Sequence, residues 1–93
     1  MPEVRLQLQW PDGATSEFYS PSTVVLEYLR PGDALSVAEL EQVGVQALHE
    51  ASERVRARYG FACTRTDEEE RRLRQRLVGY DSSATVRVTQ RIS

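Results

Sequence analysis

One amphipathic stretch, from about Ser36 to Tyr59, constrains this chain more than any other feature of its sequence. Ser36 is suited to cap a helix, and Glu39 three residues on completes a capping box. At a helical pitch Val37, Leu40, Val43, Gly44, Ala47, Leu48, Ala51, Val55 and Tyr59 fall in one arc. Gly60 then fits the left-handed stop, with Phe61 placed to fold back onto Val55. A helix this long in a chain of 93 residues needs one layer that covers its apolar arc. Gly44 and Ala47 within the arc predict that some element approaches it closely.

Alternating segments supply that layer. Val4, Leu6, Leu8 and Trp10 point one way and Arg5, Gln7 and Gln9 the other, the period of a half-buried strand. Pro11-Asp12-Gly13 is a turn, and Ala14 to Tyr19 returns as the second arm of a hairpin. Ser20 can cap a short helix with Pro21 in its first position. The β-branched run Thr23-Val24-Val25 makes a third strand the alternative there, and Pro31-Gly32-Asp33 stops either one. A second helix is predicted from Thr66, with Thr66 and Glu69 as its capping box. Asp67–Arg71, Glu68–Arg72 and Glu70–Arg74 are its i,i+4 pairs, Leu73 and Leu77 its narrow apolar stripe, and Gly79 its end. The last strand runs from Ala84 to Ile92, with Val86, Val88 and Ile92 on one face. The order is β-β-(short α)-α-α-β. It predicts one α+β domain over residues 1–93: a small, mainly antiparallel three-stranded sheet with one long and one shorter helix packed on one face. The last strand is expected beside the first.

Composition narrows the function classes. Twelve basic residues, all arginine, face 14 acidic ones, for a formal net charge of −2. Neither half of the chain carries the one-sided basic stripe of a nucleic-acid binder, and no glycine-rich phosphate loop occurs. No run is long and apolar enough for a membrane span, and the first residues lack the pattern of a signal peptide. One cysteine allows no internal disulfide, so a reducing cytoplasmic setting is expected. No cofactor or metal motif is present; one Cys and one His cannot make a nitrogen–sulfur metal site by themselves.

A few residues could carry chemistry. Cys63 lies just before a predicted helix N-terminus with Arg65 nearby, a setting that lowers a thiol pKa, although a small buried apolar role beside Phe61 and Ala62 explains it more simply. His49 falls opposite the apolar arc and is expected to pair with Glu53 on the surface, which leaves Cys63 without a histidine base. Arg54 and Arg58 project into or beside the apolar arc. There a guanidinium needs a partner: an acid such as Glu17, Glu27 or Glu50, or a ligand anion bound together with Arg65. Trp10, at a strand end beside a turn, and Tyr59 admit either a core or an interface role.

Three segments carry a family resemblance: Met1-Pro2-Glu3 leading to Trp10-Pro11-Asp12-Gly13, Tyr19-Ser20-Pro21-Ser22, and Ala51-Ser52-Glu53-Arg54-Val55-Arg56-Ala57-Arg58-Tyr59-Gly60-Phe61-Ala62-Cys63. Together they resemble a small bacterial family of nitrogen-starvation-response proteins encoded in nitrilase gene clusters. The resemblance implies a cytoplasmic protein of this length, encoded beside a nitrilase and other enzymes, with no catalytic activity assigned to it and hence no catalytic residue to carry over. The expected function is that of a non-enzymatic accessory or regulatory protein, binding a cluster-encoded enzyme or a small anionic or nitrogenous ligand during nitrogen limitation. Arg54, Arg58, Tyr59, Cys63, Arg65 and Trp10 are its candidate binding residues. The alternatives are a small enzyme or thiol carrier using Cys63, and a homo-oligomer with a site shared between chains.

Overall fold

The computed structural model describes residues 3–60 and 64–92. β1 (Val4–Gln9) turns back into β2 (Thr15–Ser20) through a tight loop. The Gly13 amide donates to the Trp10 carbonyl and the Trp10 amide to the Ala14 carbonyl, with Gly13 at φ 89°, a backbone that favours glycine. The predicted hairpin therefore forms with its predicted turn chemistry.

After β2 the chain makes a 3₁₀ turn over Thr23–Glu27. Ser22, not Ser20, caps it, accepting from the Val24 amide, while the Ser20 hydroxyl donates to the Ser22 carbonyl. β3 (Ala34–Ser36) then leads straight into α1 (Val37–Tyr59). The capping box of α1 is formed in both directions, and Gly60 closes it in the left-handed conformation. The predicted return of Phe61 onto Val55 lies outside the described residues. α2 spans Thr64–Leu77 and β4 spans Thr85–Arg91.

The sheet has four strands, not three, in the order β2-β1-β4-β3, and each neighbouring pair is antiparallel. The added strand, β3, pairs Ala34, Leu35 and Ser36 with Arg87, Val86 and Thr85. Bonds between Gly32 and Val88 (2.7 Å) and between Val88 and Asp33 (2.8 Å) extend the ladder into the turn. β4 lies beside β1, as expected. A bulge interrupts that pair: Gln7 faces Gln90 and Leu8 faces Val88, which leaves Thr89 unmatched. The extra residue reverses the alternation beyond it. Val86 and Val88 are therefore buried, but Ile92 is 46% exposed and does not join their face.

One face of the sheet, carrying Val4, Leu6, Leu8, Phe18, Val86 and Val88, is buried beneath the helices. α1 packs on the β3–β4 side and α2 on β2. A Cβ placed on Gly44 would lie 2.9 Å from Leu73 Cδ2, so the two helices meet where α1 has no side chain. α1 is about 35 Å long at 1.5 Å per residue, whereas a six-residue strand reaches about 20 Å. The molecule measures 39 × 22 × 17 Å, so α1 must lie along its long axis and overrun the sheet. From Glu53 to Tyr59, Val55 is the one buried residue.

Candidate functional site

That overrun decides the fate of the predicted arginine site. Arg54 and Arg58 do not sit on a core face. Both are exposed, because the sheet ends before the helix does. Arg54 lies 3.7 Å from Glu50, one of the acids expected for it, and Glu50 also accepts the Tyr28 hydroxyl. The Arg58 guanidinium is 6.0 Å from the centre of the Tyr59 ring, and Tyr59 is 48% exposed. Arg65 reaches away from these residues to lie 4.0 Å over the Tyr19 ring of β2. Cys63 lies outside the described residues. His49 pairs with Glu70 of α2 at 2.7 Å rather than with Glu53 of its own helix.

Trp10 lies elsewhere, about 16 Å along α2 from Arg65, since its neighbour Arg76 is eleven residues further on. The indole is buried, and three side chains hold it. Its Nε1 donates to Ser16 Oγ at 2.7 Å, the Tyr80 ring stacks on it at 5.1 Å, and the Arg76 guanidinium lies 5.4 Å from its centre. The Tyr80 hydroxyl donates to Asp12 Oδ1 (3.0 Å), which also takes the Ala14 amide. These bonds, the Ala14 amide foremost, hold the Asp12 carboxyl below the usual aspartate range.

Trp10 forms part of the floor of an open channel of about 550 Å³ between β2 and α2. Leu8, Phe18 and Leu73 complete the apolar floor; Glu17, Glu69, Arg72 and Arg76 supply the polar rim. At one end Glu69 is only 7% exposed, and its Oε1 accepts the Tyr19 amide at 3.1 Å. Burial pushes its carboxyl above the usual glutamate range, against the opposing pull of that amide and of Arg72 and Arg65. Glu69 thus does not cap α2, as the Thr66–Glu69 spacing predicted. The described helix already includes Thr64, which places Thr66 inside it, and Glu69 turns towards the sheet edge. At the other end the Arg76 Nε is buried and hydrogen-bonds no described group. Among the described residues neither Arg72 nor Arg76 belongs to an ion pair.

The sequence reading missed Glu69, Arg72 and Arg76 as a set. Their spacing of three and then four residues around Leu73 puts them on one stripe of α2, and that spacing was the available signal. Apolar floor, converging polar groups and volume together make this channel the candidate site among the described residues. Among the described residues, no three His, Cys, Asp or Glu side chains converge as a metal site, and no helix is long and apolar enough to cross a membrane.

No curated protein and no solved structure matches the chain. The family model of the nitrogen starvation-induced protein NitG does match it, over residues 5–91, from the first strand through the last. Because the match takes in nearly every described element, the chain belongs to the NitG family of nitrogen starvation-induced proteins.

Proposed function

We propose that this protein is a non-enzymatic accessory or regulatory member of a nitrilase-type gene cluster, acting in the cytoplasm during nitrogen limitation by binding a cluster-encoded enzyme or a small ligand. The observation that carries this reading is the channel between β2 and α2, with a buried aromatic floor at Trp10 and two guanidinium groups, Arg72 and Arg76, outside any described ion pair. An arginine fork pairs with a carboxylate in two parallel hydrogen bonds, so the site favours an anionic group. The exposed end of α1, with Arg54, Arg58 and Tyr59, is a second contact surface for a bulky partner.

The test is affinity capture of the tagged protein from nitrogen-starved native cells, read by mass spectrometry, with Arg72→Ala and Arg54→Ala in parallel. Recovery of one cluster enzyme in near-equal amount, reduced by Arg72→Ala, supports the reading and places the contact in the channel. Turnover of a nitrile or amide by the purified protein alone, abolished by Cys63→Ser, overturns it.

A further inference from the structure

β2 is an edge strand, and its residues Ser16, Glu17 and Phe18 line one side of the channel. In an antiparallel ladder backbone groups point alternately towards the partner strand and away from it. The Tyr19 amide points away from β1, since it donates to Glu69 of α2. By the same alternation the amides and carbonyls of Glu17 and Thr15 also face away from β1. Exposed edges of this kind accept an added strand. The protein already fills one position in that way: the Glu69 carboxylate takes the Tyr19 amide as a strand carbonyl would. The Glu17 and Thr15 positions lie further along the edge, towards the hairpin, where the channel holds Trp10 and Arg76.

Resting on the reading of the channel as the binding site, we propose that its occupant is the carboxy-terminal end of an extended polypeptide. It adds to β2 as an antiparallel fifth strand, with its terminal carboxylate at Arg72 and Arg76. The direction follows from the placement of charge. β2 runs from the hairpin towards Tyr19, while Arg76 lies at the hairpin end, over Trp10. A strand that ends at Arg76 therefore runs against β2. Its backbone bonds to Glu17 and Thr15, its carboxylate meets the guanidinium groups, and one apolar side chain among its last three residues rests on Trp10, Phe18 and Leu73. Glu69 sets the limit at the far end, because it already holds the Tyr19 amide.

The probe is a pool of synthetic hexapeptides with free carboxyl ends, randomised over the last three positions and lacking tryptophan and tyrosine. Binding is read from the fluorescence of Trp10, the sole tryptophan of the chain, and from amide shifts in a nitrogen-15 spectrum. The best peptides are expected to carry an apolar residue in those positions, to shift the Thr15 and Glu17 amides, and to weaken tenfold or more when the carboxyl end is amidated. Glu17→Pro removes an outward amide from an edge strand, where proline is tolerated. It should abolish binding, whereas Glu17→Gln should retain it; the hairpin amide shifts away from the substitution report whether each variant is folded. Equal affinity of acid and amide, undiminished binding to folded Glu17→Pro, or absence of binding throughout the pool overturns the strand. Phenylacetate binding as tightly as the best peptide also overturns it, in favour of a small carboxylate. Capture of a cluster enzyme that depends on Arg72, with no peptide bound, leaves the channel as a docking site and removes only the added strand.

Discussion

His49 Nε2 lies 2.7 Å from Glu70 Oε1, and through this contact α1 holds α2 at the outer side of their interface. Arg74 joins from the next turn, 3.1 Å from Glu70 Oε2, and also lies 3.9 Å from Glu41 of α1. Burial raises the Glu70 carboxyl, but Arg74 and His49 together outweigh it and hold it below the usual glutamate range. The folded state therefore favours the ionised form. This stabilisation is fully present above the unfolded glutamate pKa of about 4.3 and is lost as pH falls through the lowered folded value. Glu70→Gln should cost less than about 1 kcal/mol at neutral pH, because the pair is partly exposed, and nothing below the folded pKa. Urea midpoints at pH 7 and along a series of falling pH check both halves: the difference between Glu70→Gln and the parent should shrink steadily towards acid.

Its neighbour has the opposite dependence. Burial raises the Glu69 carboxyl, so the folded state favours the protonated form. That contribution is fully present below the unfolded pKa and is lost as pH rises through the raised folded value. Glu69→Gln removes the buried charge yet keeps an oxygen for the Tyr19 amide. At pH 7 it should leave stability unchanged or raise it, while Glu69→Leu, which removes the acceptor, should lower it by about 1 kcal/mol. The same urea series measures both variants.

Gly44 sets the distance between the helices. Alanine there gains about 1 kcal/mol of helix propensity, but its Cβ presses on Leu73, which is 5% exposed. Gly44→Ala should therefore be close to neutral. Gly44→Val adds two methyl groups beyond that Cβ and should destabilise by about 1–3 kcal/mol, seen as a lower melting temperature.

Ser16 serves the floor of the channel. Ser16→Ala leaves the Trp10 indole N–H buried without its acceptor and should cost about 1–3 kcal/mol. Trp10→Ala should cost more, about 3–5 kcal/mol, since it also removes the buried ring against which Tyr80 and Arg76 pack. Equal losses in the two variants, measured by urea unfolding, would count against the indole as the larger packing element.

Elements specified by their own residues were legible in the sequence. The hairpin follows from Trp10-Pro11-Asp12-Gly13, and α1 from Ser36, Glu39 and Gly60, each of which acts within a few residues of itself. What sequence reading lost depends on distant pairing. β3 has three residues and no period of its own to read; it is a strand because Arg87 and Val86 of β4 lie beside it. Ile92 is turned outward by Thr89, an insertion visible only against Gln7 and Leu8. Thr66 and Glu69 had the spacing of a cap, but Tyr19, fifty residues earlier in the chain, claims the carboxylate. On a helical wheel Arg54 and Arg58 fall in or beside the apolar arc, yet a wheel does not show where the sheet ends. Trp10 is the one channel residue that the sequence singles out as a candidate for binding; Arg72 reads there only as a partner for Glu68, and Arg76 is hidden among twelve arginines.

The strand order has a consequence for how the protein is made. β4, which follows every other element of the sheet in sequence, occupies a position between β1 and β3 rather than an edge. A nascent chain that has emerged only as far as α2 holds the hairpin and both helices, but β3 then has no neighbour and β1 is itself an edge. The sheet closes only once residues 85–91 are released, by pairings with segments some fifty and eighty residues upstream. Contacts at that separation form slowly. Synthesis cut short before β4 should yield no partial domain, and the cell has either the finished fold or a chain open to proteolysis.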